Sequence, residues 1–370
     1  MKILFGGDFC PQNRVAKLFE EKKFASVLSE FKSVVSKVDY SIVNFECPIT
    51  RGGEKPIIKQ GPSLQCTEEG IEAMQWAGIN CVALANNHLL DFGEDGVRQT
   101  LEACKKYGID TIGGGINIQE ASRILYKTIG EATVAFINCC EHEFSIATEK
   151  TPGANPLNPI QQYYTIQEAK KQSDHIIIIV HGGHEHYQLP SPRMQELYRF
   201  FINVGADAVI NNHQHCYSGY ELYQGKPIFY GLGNLCFDFP MTDNKTWNEG
   251  YMVILDIKQK MDFEIIPYRQ CQKEPTVNII EKSSYNNTIE DFNKTINDPK
   301  KLEETVASYY ETCANSISTI LEPSNNRYYL GARKRGWLPT FISQKRKIKA
   351  SNYICCESHR EKLIYFLSKL

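Results

Sequence analysis

The chain has 370 residues, 42% hydrophobic and 23% charged, with 41 Lys and Arg against 43 Asp and Glu for a net charge of −2. This composition excludes a wholly disordered chain, a collagen-like repeat and a globally basic nucleic-acid binder. No apolar run approaches the roughly 20 residues that span a bilayer; the longest clean run is 176–180. In chain order, residues 2–7 read as a strand and 14–38 as a helix, with apolar residues at Val15, Leu18, Phe19, Val27, Leu28, Phe31 and Val34. Residues 40–45 read as a strand. Thr67 is the expected cap of a helix running to Trp76, with Gly78 as its stop. A strand at 79–85 and a helix at 96–107 follow. Segments 123–129 and 133–139 flank Gly130-Glu131 and predict a hairpin. Then come a helix at 166–172, a buried strand at 175–180, a helix at 194–204 and a strand at 208–211. Two more hairpins are predicted at 220–230 and 250–268. Residues 283–299 read as polar and partly helical, and 302–321 as helix.

Strands followed by helices dominate to about residue 215, and hairpins from 220 to 270. This predicts an α/β sheet with helices on both faces and a more antiparallel second half. The pattern changes after 271, so a domain at 1–271 and a mostly helical extension at 272–370 are expected. From 327 to 370 there are eleven basic and two acidic residues. Arg333, Lys334, Arg335, Lys345, Arg346, Lys347 and Lys349 lie in an acid-free span with Trp337, Leu338 and Phe341. A solvated basic tail is the plain reading; docking to a polyanion or an anionic membrane surface is the sharper one. The thirteen cysteines are odd in number and include no Cys-x-x-Cys pair. They argue against a disulfide framework or a zinc ribbon and for a reducing cytosol.

Five apolar runs each deliver a polar residue at their carboxyl end. They lead into Asp8, Glu46, Asn86-Asn87-His88, His181-Gly182-Gly183-His184-Glu185 and Asn211-Asn212-His213-Gln214-His215. Ligands of open α/β sheets bind outside the carboxyl ends of strands. Carboxylates, an amide and imidazoles arriving there from several directions suit divalent metal ions. Two such ions roughly 3.5–4 Å apart activate water and neutralise a phosphoryl oxygen.

The motifs Gly7-Asp8, Asn44-Phe45-Glu46 and Asn86-Asn87-His88-Leu89-Leu90-Asp91-Phe92-Gly93 carry a resemblance, together with Gly113-Gly114-Gly115-Ile116-Asn117, His181-x-Gly183-x-Glu185, His213-Gln214-His215 and Phe229-Tyr230-Gly231-Leu232-Gly233-Asn234. Over roughly residues 1–260 the sequence resembles the CapA family of poly-γ-glutamate and capsule-biosynthesis proteins, which have a calcineurin-like metallophosphoesterase fold. The resemblance implies that Asp8 and His215 hold a first metal, that Glu46 bridges, and that Asn87, His181 and His213 hold a second. One or two divalent ions of Mn, Fe or Zn type are implied. His88 would donate a proton to a leaving oxygen or bind a phosphoryl oxygen. Asp91 would orient His88 or cap the following helix. Glu185 and Asn234 would lie in the surrounding shell or touch substrate.

Three positions depart from the wider superfamily. Cys10 stands where Asp-x-His is usual and reads as a buried thiol before it reads as a ligand. Glu46 replaces Asp, and Asn212 replaces Gly. His184 and His186, flanking Glu185, read as exposed. The Gly113–115 run reads as a tight turn before a phosphate cradle.

The expected activity is that of a metal-dependent phosphoesterase-type hydrolase in capsule or exopolymer synthesis. Its expected partner is an anionic polymer or a phosphorylated small molecule. The alternative is a non-catalytic assembly protein that binds the polymer through the same fold. A nucleic-acid-acting enzyme would draw on the basic tail alone, and no strong nucleic-acid signal supports it. The amino terminus turns polar too soon for a signal peptide, so cytoplasmic residence is expected, with the tail at the inner membrane face.

Overall fold

The apolar runs become strands, and the helical periodicities become helices, in a computed structural model that describes residues 1–239, 245–258, 260–321, 328, 332, 335, 337 and 343–367. The chain opens with β1 (Lys2–Phe9), α1 (Asn13–Glu20), α2 (Phe24–Val35), β2 (Tyr40–Phe45), α3 (Glu69–Ala77), β3 (Cys81–Ala83) and α4 (Gly93–Lys106). It continues with β4 (Asp110–Ile112), β5 (Gly114–Gly115), α5 (Ile118–Ala121), β6 (Leu125–Ile129), β7 (Ala132–Cys140), β8 (Gly153–Ala154), α6 (Pro159–Ala169) and β9 (His175–His181). Next come α7 (Pro192–Val204), β10 (Ala208–Asn212), β11 (Tyr220–Tyr223), β12 (Lys226–Phe229), β13 (Asn234–Cys236), α8 (Lys245–Asn248), β14 (Glu249–Ile257), β15 (Met261–Gln270) and β16 (Val277–Ile279). The helices α9 (Ser283–Ile296), α10 (Pro299–Leu321), α11 (Gln344–Cys355) and α12 (Glu357–Leu367) complete it.

Two mixed sheets face each other. The first has the order β16-β15-β14-β1-β2-β3-β4, with β13 added in parallel to the end of β1. The second has the order β11-β12-β10-β9-β7-β6. Their central strands run parallel: β1 with β2, β2 with β3, β7 with β9, and β9 with β10. Alternation along each strand divides its side chains between two cores, because successive residues point to opposite faces. Ile3 and Phe5 of β1 and Ile177 and Ile179 of β9 meet in the layer between the sheets. Leu4 faces α1, α2 and α3 on one outside, and Ile176, Ile178 and Val180 face α6 and α7 on the other. Strands buried on both faces explain the continuous apolar runs. The extension joins these cores: Tyr285 and Ile289 of α9 enter the central layer, and Leu302, Val306 and Tyr310 of α10 pack beside α7. Among the described residues, no helix is long and apolar enough to cross a membrane.

Three expected elements differ. The single helix at 14–38 is two, α1 and α2, broken where Lys22 takes a left-handed φ of 58°. No Gly or Pro announces that turn. The helix expected at 166–172 begins earlier, because Asn158 caps it and Pro159 occupies its first turn. Glu68 rather than Thr67 precedes α3, whereas Gly78 does end it with φ 90°. In the basic tail, Arg333, Lys334, Leu338 and Phe341 lie outside the described residues.

One close approach sets the position of the first candidate ligand. The Asp8 N–H donates to Gly233 O at 3.0 Å, which ties β1 to the loop before β13. A Cβ on Gly7 would sit 1.8 Å from that same oxygen, so only glycine fits there. Gly7→Ala is therefore expected to destabilise the protein by about 3 kcal/mol, the upper range for overpacking. A urea midpoint equal to that of the wild type would show that the approach is not required.

Candidate metal centre

Every ligand-type side chain arrives from the carboxyl end of a central strand. Asp8 lies near the end of β1, Glu46 directly follows β2, and Asn87 and His88 lie in the loop after β3. His181 ends β9, and His213 and His215 follow β10. The two sheets thus contribute to one cluster between their edges. Asp8, Glu46, Asn87, His181, His213 and His215 are all buried there.

Two groups of ligand atoms form, and Glu46 belongs to both. Asp8, Glu46 and His215 make one, and Glu46, His181 and His213 the other, each with its atoms within 4.8 Å of one another. Glu46 Oε1 lies 3.5 Å from His181 Nε2 and 3.7 Å from His215 Nε2. That oxygen is buried with no hydrogen-bond partner. His181 Nε2 is also 3.0 Å from Asn87 Oδ1 and 3.0 Å from His213 Nδ1. Four electron-pair donors converge on one point there, and a single proton can serve only two of them. A cation satisfies all four, so the residues present fit a divalent ion.

The titration behaviour has the same cause. Burial, reinforced by the neighbouring Asp8 carboxylate, pushes the Glu46 carboxyl well above its ordinary range. Burial and the adjacent His213 and His215 rings hold His181 well below the usual imidazole value. The neutral ring is the ligand form. The backbone is strained at the same place: His213 and His215 take φ values of 98° and 55°, a conformation uncommon outside glycine. That turn aims both rings at the cluster.

Neighbouring groups hold the ligands in orientation. Asn44 Nδ2 donates to Asp8 Oδ1 at 2.8 Å and lies 3.3 Å from His181 Nδ1. Asn234 Oδ1 is 2.9 Å from His215 Nδ1, so the Nδ1–H donates to it and Nε2 keeps its lone pair toward Glu46. Asp91 Oδ2 lies 2.7 Å from His88 Nδ1 and accepts the Leu64 N–H at 2.7 Å. Its side chain therefore orients His88; Phe92, without a side-chain bond, precedes α4.

Two further contacts carry no sequence pattern. Lys59, from the loop after β2, pairs with Asp91 Oδ1 at 2.5 Å and approaches His88 Nδ1 at 3.0 Å, its side chain only 2% exposed. Glu143, after β7, accepts from Asn87 Nδ2 at 3.3 Å and lies 3.9 Å from His213 Nε2.

The remaining candidates fall elsewhere. Cys10 is fully buried in the outer apolar core, where burial raises its thiol pKa, and it belongs to neither ligand group. Gln12 Nε2 donates to its sulfur at 3.3 Å. Glu185 is exposed at the rim. Packing around the carboxyl works against its ionisation, but the nearby His213 and His215 rings outweigh it and lower its pKa wherever they carry a proton. His184, expected at the surface, is buried with Nε2 2.9 Å from Tyr310 Oη. Gly113 takes a φ of 79°, and a Cβ there would collide with Asn138 Oδ1 at 2.0 Å. The glycine run thus serves close packing.

A metal-linked stability measurement tests the cluster. Chelator-stripped protein in Mn²⁺ at about 100 times its Kd is expected to gain about 2.7 kcal/mol per occupied site, read as a raised thermal midpoint. Glu46→Gln is expected to lose most of that gain. An unchanged wild-type midpoint with Mn²⁺ would contradict the cluster as a cation site.

Comparison with known proteins adds identity to this geometry. Capsule biosynthesis protein CapA of Bacillus anthracis is 29% identical over 247 residues, 65% of this chain and 60% of that one. PGA biosynthesis protein CapA of Bacillus subtilis is 31% identical over 238 residues, 63% of this chain and 62% of that one. The chain thus spans about six tenths of the length of either relative. Among solved structures, the calcineurin-like phosphoesterase YfkN of Bacillus subtilis aligns with a TM-score of 0.41 at 13% identity, over 84% of this chain and 98% of that one. The model of the family described as bacterial capsule synthesis protein PGA_cap matches residues 2–239, a span that contains every residue of both Glu46-sharing groups. The chain belongs to that family.

Proposed function

We propose that this protein serves capsule or poly-γ-glutamate-type exopolymer synthesis as a metal-dependent, phosphoesterase-type hydrolase. The observation that carries this reading is the shared Glu46 oxygen, buried, otherwise unpaired, and facing an imidazole of each ligand group. Asp8, Glu46 and His215 would hold one divalent ion of Mn, Fe or Zn type, and Glu46, Asn87, His181 and His213 a second. Such a pair supplies Lewis acidity toward a phosphoryl oxygen and lowers the pKa of water.

The chain's own residues supply position and protons. Asn234 and Asn44 fix the ring and carboxylate orientations. Asp91 takes the Nδ1–H of His88, leaving Nε2 to carry a proton to a departing oxygen. Lys59 neutralises Asp91; burial, with that ammonium beside the ring, lowers the His88 pKa and so favours release of its proton. The substrate would be a phosphorylated intermediate or polymer end.

A second reading keeps the cluster without turnover, as a grip for the polymer. It is favoured by the chemistry of such a cluster, which binds carboxylates as readily as phosphoryl oxygens, and by relatives named for polymer synthesis. We place the protein in the cytoplasm, with its basic tail at the inner membrane face. Recovery wholly outside the cell on fractionation would refute that placement.

Hydrolysis of bis(p-nitrophenyl) phosphate by the full chain in Mn²⁺ separates the two readings. Asp8→Asn and His181→Ala are expected to lose bound metal and turnover together. His88→Ala is expected to keep metal and lower kcat by about 10²- to 10⁴-fold, the usual share of a general acid. Tight polyglutamate binding with no turnover in any divalent ion would overturn the hydrolase and leave the assembly role.

A further inference from the structure

The C-terminal hairpin of α11 and α12 lies outside the residues matched by the family model, yet it reaches the metal centre. Its register is set by buried polar contacts with the segment after β7. Glu357 Oε2 accepts the His142 backbone N–H at 2.9 Å, and Oε1 lies 2.6 Å from the His142 ring. The Ser358 N–H and Oγ donate to Glu141 Oε2 at 3.2 and 2.6 Å. Arg193 pairs with Glu141, and Glu361 accepts from Ser191 Oγ at 2.9 Å. These contacts pin the first turn of α12 in one place.

What that register delivers is a thiol and an imidazole beside Glu143. Ligand atoms of Glu143, Cys356 and His359 lie within 4.8 Å of one another. Cys356 is fully buried, with Sγ 3.7 Å from Glu143 Oε1. Glu143 is the same residue that touches Asn87 and approaches His213, so this cluster adjoins the Glu46-centred one. His359 Nδ1 lies 3.0 Å from the Asn352 side-chain amide, whose Oδ1 is buried and unpaired. With Oδ1 turned to the ring, Nδ1–H donates to it and Nε2 keeps a lone pair for a cation.

We propose that Glu143, Cys356 and His359 form a further cation site of zinc type, assembled by the C-terminal hairpin at the rim of the Glu46-centred cluster. Sulfur, nitrogen and carboxylate oxygen together select a borderline ion such as Zn²⁺ over Mg²⁺ or Ca²⁺. Three protein ligands leave a tetrahedral ion one open position, suited to a phosphate or carboxylate of a bound substrate. The extension would then complete the binding site.

Full-length protein, stripped with chelator and reloaded with Co²⁺, tests this apart from the proposed activity. The wild type is expected to show a thiolate-to-cobalt charge-transfer band in the near ultraviolet. Cys356→Ser is expected to lose the band and one equivalent of metal, with its circular dichroism unchanged. His359→Gln, which keeps the thiol, is expected to weaken Co²⁺ binding at the band by at least the roughly 10- to 100-fold that loss of even an outer-shell partner costs. Asp8→Asn is expected to keep the band while losing metal from the other cluster, so failure of one site is distinguishable from failure of the other. No thiolate band in the wild type, or a band of unchanged strength and affinity in both Cys356→Ser and His359→Gln, would overturn the proposal.

Discussion

Two carboxylates, Asp8 and Glu46, are buried side by side, and among the described residues neither has a Lys or Arg ion pair. Burying like charges together is costly unless something of opposite sign lies between them. The imidazoles that surround them do not supply that charge fully, since burial keeps His181 neutral. His215 beside Asp8 offsets part of that repulsion, and a cation held at the proposed centre would offset the rest. The rest of the architecture serves to bring these groups together: Gly7 lets β1 meet the Gly233 loop, two positive-φ histidines turn inward, and two asparagines set the tautomers.

The sandwich explains why ligands so distant in sequence converge. Each sheet alone would present its strand ends along an edge. Facing sheets, joined through Ile3, Phe5, Ile177 and Ile179, bring two edges together. One contributes the carboxylates and Asn87, the other the imidazoles. Asn138 of β7 helps to hold that alignment: its Oδ1 accepts the Ala85 N–H at 2.8 Å and its Nδ2 donates to Ile179 O at 3.1 Å. The loop carrying Asn87 and the strand carrying His181 are thereby tied at a fixed separation.

The strand-end residues were legible in the sequence because each follows an apolar run that had to be buried. Asp8, Glu46, Asn87, His181, His213 and His215 share that position, and it predicts a common edge. Two facing sheets were not distinguishable from one, because a strand buried on both faces reads alike in either. The break between α1 and α2 carries no sequence signal, because Lys22 takes its left-handed turn without a Gly or Pro. Lys59, Glu143, Cys356 and His359 lie in loops and in the extension, where no periodicity points to a site. Only tertiary packing brings Lys59 to His88, Glu143 to Asn87, and Cys356 and His359 to Glu143. Burial of His184 beside α10 was hidden for the same reason, since its partner Tyr310 is more than a hundred positions away.

The most direct measurement is the anomalous diffraction of Mn²⁺-soaked crystals of the full chain. Anomalous peaks are expected within ligand distance of Glu46, one bounded by Asp8 and His215 and one by Asn87, His181 and His213. A map with no peak at Glu46, with Mn²⁺ bound only elsewhere, would contradict the proposed centre.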